Sequence, residues 1–157
     1  MLFRQPRYGF HNNVIQIVKF RTMRTDEETP GVPQATRNDP RVTRIGRLLR
    51  RTSLDELPQL FNVLRGEMSL VGPRPHAVDH NKMYAAMIDA YLGRHRMKPG
   101  ITGWAQVNGL RGETKTVEQM RLRVQHDLHY IDNWSLWLDL KILLLTLFVG
   151  FVHDKAY

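Results

Sequence analysis

Residues 39–75, DPRVTRIGRLLRRTSLDELPQLFNVLRGEMSLVGPRP, carry the clearest structural pattern in the chain. From Pro40 onward, apolar residues recur at helical spacing and form one stripe, with arginines on the other side. The apolar stripe consists of Val42, Ile45, Leu48 and Leu49. The arginines are Arg41, Arg44, Arg47 and Arg51. This arrangement predicts an amphipathic helix.

A second, short helix is predicted over about 56–64. Pro58 is tolerated only in the first turn of a helix, so this helix is expected to begin near Asp55. Gly66 ends it, and the GPRP sequence at 72–75 predicts a rigid turn.

The segments on either side of this stretch carry weaker patterns. Residues 1–23 predict a β-hairpin, because the run VIQIVKF is rich in β-branched and aromatic residues and follows a turn-forming Gly and Asn pair. Residues 25–39 hold acids and prolines without periodicity, which predicts a mobile loop. Helical patterns cover about 77–92 and 116–132, with a glycine-rich loop region over 98–112 between them.

The tail, residues 134–152, contains only two charged residues, Asp139 and Lys141. Its length approaches that of a membrane span. On a helix its polar residues fall along one narrow stripe: Ser135, Asp139, Thr146, Gly150 and His153. With two tryptophans near its start, this pattern favours an amphipathic helix in a membrane interface or against an apolar partner. An ordinary buried core helix remains the alternative.

Composition limits the class of protein. With 157 residues, 42% of them hydrophobic, the chain suits one domain with a real core. The absence of cysteine excludes disulfides, thiolate metal sites and a cysteine nucleophile. A net charge of +8 indicates anionic partners: nucleic acid, acidic lipid or phosphorylated substrates. We expect a mixed α+β domain, mainly helical, with a small N-terminal hairpin.

The adjacent carboxylates Asp55 and Glu56 are the sharpest candidate for chemistry. They repel each other, so both stay charged only if arginines, a helix N-terminus or a divalent metal lies nearby. Oxygen ligands suit Mg²⁺, and an ionised aspartate can attack phosphorus to give an acyl phosphate. The alternative is structural, because Ser53 and Glu56 have the spacing of a capping box.

Basic residues beside predicted turns form a second group of candidates. They are Lys19, Arg21, Arg74 and Arg111. Arginine on a rigid turn suits bidentate phosphate contact, although a residue of this kind alone is more often a solvated surface charge. The histidine pairs at 76/80 and 126/129 have helical spacing, but the sequence supplies no third zinc ligand.

Together these segments resemble the bacterial sugar transferases, the monotopic phosphoglycosyl transferases that begin lipid-linked glycan assembly. The similarity covers nearly the whole chain in family order. It is carried by KFRTM (19–23), the 39–75 stretch, KPGITGWAQVNG (98–109) and NWSLWLDLKILLLTLF (133–148). The segments PRPHAVDHNKMY (73–84) and GFVHDKAY (150–157) look closest to undecaprenyl-phosphate glucose phosphotransferases of exopolysaccharide pathways.

The resemblance implies a role for each matching residue. Asp55 would attack the β-phosphate of a UDP-sugar, expel UMP and carry the phosphosugar until undecaprenyl phosphate displaces it. Glu56 would help hold Mg²⁺, with Asp55 as its neighbour in the metal site. The residues near the phosphates would be Lys19, Arg50, Arg74 and Arg111. Glucose is the favoured sugar, and galactose is the second choice.

The resemblance also implies a place and a set of partners. The enzyme would act at the membrane surface, on the cytoplasmic face of the bacterial inner membrane, and would not bind nucleic acid. Family members carry a hydrophobic re-entrant helix just before the segment matching LFRQPRYG, so residues 1–157 are expected to be the catalytic domain without that helix. Two alternatives stay open: a basic module that binds anionic lipid or nucleic acid without catalysis, and an inactive scaffold for partner glycosyltransferases.

Overall fold

A computed structural model describes residues 1–24, 39–76, 78–112, 114 and 116–152. The strands are β1 (Leu2–Tyr8), β2 (Val14–Phe20), β3 (Ser69–Val71) and β4 (Gly100–Thr102). The α-helices are α1 (Arg44–Thr52), α2 (Leu60–Leu64), α3 (Val78–Met87), α4 (Trp104–Val107), α5 (Val117–Asp132) and α6 (Leu136–Val152). Short 3₁₀ helices cover Phe10–Asn12, Leu54–Gln59 and Tyr91–Arg96. The mainly helical α+β class is confirmed, while the predicted loop lies, except for Asp39, outside the described residues.

The predicted hairpin is present. Strands β1 and β2 pair antiparallel, from Leu2 opposite Phe20 to Tyr8 opposite Val14. Directly opposed residues of an antiparallel pair share a face, and alternate residues of a strand do so as well. Because Phe3 pairs with Lys19, the side chains of Arg7 and Lys19 therefore lie on the same face of the hairpin.

A buried asparagine, Asn62, helps attach the hairpin to the helices that follow. Asn62 is fully buried in α2, and its side-chain oxygen accepts a hydrogen bond from the Val18 amide at 3.1 Å. Its side-chain nitrogen donates to the Gln16 carbonyl at 2.8 Å and to Glu67 at 2.6 Å. The side chain therefore satisfies the free edge of β2 as a neighbouring strand would. This contact fixes the distance between β2 and the 3₁₀ helix Leu54–Gln59.

Helix α1 starts later than the periodicity predicts, because Thr43 caps it through a bond from the Gly46 amide at 2.9 Å. A Cβ at Gly46 would overlap the Thr22 carbonyl, so the helix packs on backbone at this point. Its apolar stripe is not a core face: Ile45 is 73% exposed and Leu48 is exposed too. The helix packs instead through the side that carries Gly46.

The glycine-rich region holds regular structure that the sequence patterns do not reveal. Strands β3 and β4 form a two-stranded parallel sheet, and α4 follows directly. A Cβ at Gly100 would overlap the backbone of Gly72, so only glycine allows this close approach. The expectation of a loop over 98–112 is therefore wrong for β4 and α4. Each strand is only three residues long, too short to show a period.

The remaining helices enclose two apolar clusters. Helix α5 forms as predicted, and α3 ends earlier than predicted, at Met87, before the 3₁₀ helix Tyr91–Arg96. One cluster contains Tyr84, Ile88, Tyr91, Met120 and Val124. The other contains Val71, Tyr130 and Ile142, which joins α6 to the strand that leads into the 72–75 turn.

Two residues of the polar stripe on α6, Asp139 and Thr146, contact the rest of the domain. Asp139 accepts a bond from the Tyr130 hydroxyl at 2.7 Å, and Thr146 contacts the Thr102 hydroxyl at 2.7 Å. A row of large apolar residues faces away and is exposed: Leu136, Trp137, Leu140, Leu144, Leu147 and Phe148. The alternative of a buried core helix is therefore wrong. In the described part of the chain, no helix is both long and apolar enough to cross a membrane.

Candidate active site

Glu56 lies at the centre of the candidate site. The side chain is on the 3₁₀ helix Leu54–Gln59 and is only 6% exposed. Lys19 approaches its Oε1 at 3.2 Å, while Arg74 bonds the same oxygen and donates to Oε2 at 3.1 Å. Burial acts to raise the pKa of Glu56, but the charges of Arg74 and Lys19 outweigh burial and hold this pKa well below its usual range. Glu56 is therefore ionised.

Asp55 is the second carboxylate, and it differs from Glu56 in its burial and its hydrogen bonding. It is half-buried and has no hydrogen-bond partner among the described residues. Burial and the neighbouring Glu56 raise the pKa of Asp55, against the opposing charges of Lys19, Arg50 and Arg74. Its oxygens are thus free of donors, which leaves their lone pairs available to an electrophile.

Arg111, which follows α4 in the sequence, also reaches this site. Its Nη2 donates to the Ser53 hydroxyl at 2.6 Å. Ser53 has a left-handed backbone, with φ at 60°, between α1 and the 3₁₀ helix, and its side chain caps neither. The capping-box alternative is therefore wrong, because the Ser53 hydroxyl accepts from Arg111 and not from the Glu56 amide, which donates to the Ser53 backbone carbonyl.

The structure brings the sequence-predicted residues together. Arg50, in the last turn of α1, is close enough to act on the charge of Asp55, as are Lys19 and Arg74. Arg111 acts on the charge of Glu56. Arg21, the other basic candidate, is exposed just after β2.

A buried ion pair behind Arg74 was not apparent from the sequence. Arg94 and Asp127 are each 2% exposed, and Arg94 Nη2 donates to the Asp127 carboxylate at 2.6 Å. The same nitrogen donates to the Arg74 carbonyl at 2.7 Å, so the pair fixes the backbone of the turn that carries Arg74. The available signal is Asp127 itself, an acid one heptad after the buried Met120 on α5.

His76 belongs to this buried group. Its Nδ1 contacts Arg94 and lies 2.6 Å from the Tyr91 hydroxyl. Burial and the charge of Arg94 lower the pKa of His76 well below its usual value, so the imidazole is neutral. Among the described side chains, no three histidines or acids lie together in a way that could hold a metal, and the side chain of His80, one member of the predicted pairs, lies outside the described part.

Stability is expected to fall as the pH is lowered from 7 to 5. The folded-state pKa of His76 is depressed, so below about pH 6.5 the unfolded chain binds a proton that the folded chain does not. The loss is about 1.4 kcal/mol per pH unit for this histidine. Urea unfolding should show a weaker pH dependence in His76→Asn. A matched change at the exposed His129 should leave the dependence unchanged. Equal slopes in all three proteins would contradict the assignment.

The site lies within a segment common to many proteins. The sequence pattern of the family described as "Bacterial sugar transferase" matches residues 1–153. The chain belongs to this family. The bacterial sugar transferase pattern covers Asp55, Glu56 and the surrounding cations.

Individual bacterial sugar transferases are similar over the whole chain. A UDP-glucose:undecaprenyl-phosphate glucose-1-phosphate transferase of Escherichia coli (strain K12) is 59% identical over 157 residues, which are 100% of this chain and 34% of that protein. A protein of the same name from Caulobacter vibrioides is 57% identical over 156 residues, 99% of this chain and 58% of that protein. The exopolysaccharide production protein PSS of Rhizobium leguminosarum bv. phaseoli is 45% identical over 161 residues, 100% of this chain and 80% of that protein.

Proposed function

We propose that this chain is the catalytic part of an enzyme that transfers glucose 1-phosphate from UDP-glucose to undecaprenyl phosphate, at the start of exopolysaccharide assembly. The observation that carries the proposal is a carboxylate without donors, Asp55, beside an ionised Glu56 held by Lys19 and Arg74. The names of the similar proteins support the two substrates. A module that binds anionic lipid or nucleic acid without catalysis is not favoured, because the similar proteins are named as transferases.

The reaction takes place in two displacements at one phosphorus atom. In the first, an Asp55 oxygen forms a bond to the β-phosphorus of UDP-glucose, and the bond from that phosphorus to the bridging oxygen breaks. UMP leaves with the electron pair. In the second, an oxygen of undecaprenyl phosphate attacks the same phosphorus, and Asp55 departs as a free carboxylate. Asp55 needs no proton at either step.

The cations position the phosphates and offset their charge. Lys19 and Arg74 are already held by Glu56, so their positive groups are oriented before the substrate arrives. Preorganised charge of this kind supplies most of the catalysis in phosphoryl transfer. Arg50 and Arg111 complete the proposed phosphate-binding set on the side of Ser53.

Mg²⁺ is the proposed cofactor, and the donor atoms present fit it. Oε1 of Glu56 accepts from Lys19 and Arg74, but Oε2 accepts one bond, which leaves a lone pair free. Asp55 supplies further free oxygens. Mg²⁺ commonly takes one or two carboxylates and fills its shell with substrate phosphate oxygens and water. Asp55 and Glu56 would hold the ion, which would neutralise charge on the diphosphate.

A panel of UDP-sugars tests this function. The chain is incubated with Mg²⁺ and UDP-glucose, UDP-galactose or UDP-N-acetylgalactosamine, with and without undecaprenyl phosphate. UMP release is expected to be fastest with UDP-glucose. Without the acceptor, intact mass analysis should detect a hexose phosphate added to the protein. Absence of UMP release with every sugar contradicts the function, and turnover without an adduct on rapid quenching contradicts the covalent intermediate.

We also propose that α6 lies in the membrane interface, on the cytoplasmic face of the bacterial inner membrane. Its exposed apolar row faces away from the domain, and two exposed tryptophans, Trp134 and Trp137, stand at its start. Tryptophan prefers the boundary between lipid headgroups and chains. The net charge of +8 would add attraction to anionic lipid.

Vesicle flotation tests the membrane proposal. The chain is expected to float with vesicles that contain phosphatidylglycerol, and the double variant Trp137→Ser, Leu144→Ser should lose at least about 10-fold in affinity because two apolar contacts are removed. Leu122→Ser, at an exposed leucine of α5, is the matched control and should bind as the wild type does. Equal binding of the double variant and the control would contradict the role of α6.

A further inference from the structure

Arg7 occupies an unusual position beside the candidate site. It lies on the hairpin face that carries Lys19. One guanidinium nitrogen donates to the Gln5 side-chain oxygen at 2.6 Å, and the other makes a long contact, 3.5 Å, to the Pro75 carbonyl. Pro75 directly follows Arg74, so the Arg7 guanidinium reaches the edge of the active-site turn.

The charge of Arg7 is not balanced. Across the described ranges, no carboxylate lies within ion-pair distance of its guanidinium, and its Nε is buried without a hydrogen-bond partner. A buried charged donor without a partner is costly for the folded state. The sequence retains a cost of this kind most readily where a ligand compensates for it.

The neighbouring groups do not supply the missing anion. The carboxylate whose charge acts on Arg7 is Glu56, which is already bonded to Lys19 and Arg74. Burial, together with the like charge of Arg74, lowers the pKa of Arg7 to about 10. At neutral pH the guanidinium therefore stays charged, next to another cation.

We propose that Arg7 is a substrate-binding residue whose guanidinium binds a phosphate group at the edge of the site. The inference rests on the proposed function and adds a contact to it. A guanidinium matches phosphate oxygens with parallel donors, and each terminal nitrogen of Arg7 keeps one N–H beyond the one it gives to Gln5 or Pro75. The phosphate belongs either to the UDP-sugar or to the lipid acceptor, since both carry the same chemistry.

A purely structural role for Arg7 predicts a different behaviour. If the residue existed to hold the Pro75 carbonyl, its removal would destabilise the fold. A phosphate-binding role predicts the reverse for the free protein, because removing an unbalanced buried charge relieves its cost. Stability and ligand affinity are therefore expected to change in opposite directions.

Binding of inorganic pyrophosphate, measured calorimetrically without Mg²⁺, tests the site independently of turnover. Arg7→Met keeps an unbranched apolar side chain and removes the guanidinium with its charge. It is expected to weaken pyrophosphate binding about 10- to 100-fold, with a melting temperature equal to or above that of the wild type. Arg4→Met, on the exposed opposite face of β1, is the matched control and should change neither property.

Steady-state kinetics then identify the source of the phosphate. In a two-step transfer, kcat/KM for each substrate reports its own half-reaction. Arg7→Met should lower kcat/KM for UDP-glucose if the donor phosphate contacts Arg7, and for undecaprenyl phosphate if the acceptor does.

Several outcomes would overturn the inference: no pyrophosphate binding by the wild type, equal affinity in Arg7→Met and Arg4→Met, or a lower melting temperature with unchanged affinity. Unchanged kcat/KM for both substrates would also overturn it. In another outcome, the chain releases no UMP but still binds pyrophosphate in a way that depends on Arg7. That result would support the phosphate site and reject the proposed transferase.

Discussion

The Asp55→Asn variant is expected to release UMP from UDP-glucose at least about 10³-fold more slowly than the wild type. The asparagine side chain matches aspartate in size but has no anionic oxygen that can bond to phosphorus. The loss should appear in kcat, because phosphate binding by Lys19 and Arg74 remains intact. Intact mass analysis of the variant should show no sugar phosphate adduct.

The same variant separates catalysis from a structural role. Burial and Glu56 raise the pKa of Asp55, so folding disfavours its charged form at neutral pH. A neutral asparagine should leave the free energy of unfolding unchanged or higher. Asparagine caps helices as well as aspartate does, so a capping role for Asp55 is tested by Asp55→Ala, which would then lose about 1 kcal/mol. The exposed Asp89→Asn is the control, with normal UMP release expected. Full activity in Asp55→Asn would reject the nucleophile.

The parts of the fold that sequence could predict have long, consistent patterns. The hairpin follows from a run of β-branched residues, and α5 follows from an apolar stripe sustained over its length. The candidate site could be predicted in part because its residue types are unusual in their places: adjacent acids at a helix start, and an arginine between two prolines. Geometry then adds what no pattern contains, namely that Glu56 accepts bonds from Lys19 and Arg74 whereas Asp55 accepts none from the described residues.

Other features depend on contacts between distant residues. The β3–β4 pair consists of two three-residue strands, and it is defined by the close approach of Gly72 and Gly100. The Arg94–Asp127 pair joins residues 33 positions apart. Neither relation leaves a periodic signal in the sequence, because each depends on how separate elements pack.

An amphipathic pattern also does not show what packs against the apolar face of the helix. The stripe on α1 was expected from its spacing, but Ile45 is exposed. On α6, Asp139 and Thr146 contact the domain together with the buried Ile142, whereas another apolar side of the helix is exposed. A helical period identifies two different faces, whereas the medium next to each face is set by the rest of the protein and its surroundings.

The Glu56→Gln variant is expected to lose about 3 kcal/mol in its free energy of unfolding. Glu56 is buried and offsets the charges of both Lys19 and Arg74. Glutamine removes that charge and turns an amide donor toward a guanidinium, so two cations remain near each other without an anion. Breaking a buried pair from one side is costly because the remaining charge stays desolvated.

Urea unfolding at pH 7 measures this loss, and Asp132→Asn supplies the control. Asp132 bonds Arg96 at 2.8 Å, but both side chains are 59% exposed, so its loss should cost at most about 1 kcal/mol. Equal losses in the two variants would contradict the central position of Glu56. Because inorganic phosphate can replace the missing negative charge, it should also stabilise Glu56→Gln more than the wild type. That difference tests whether the cations around Glu56 can bind an anion, which the proposed transfer requires.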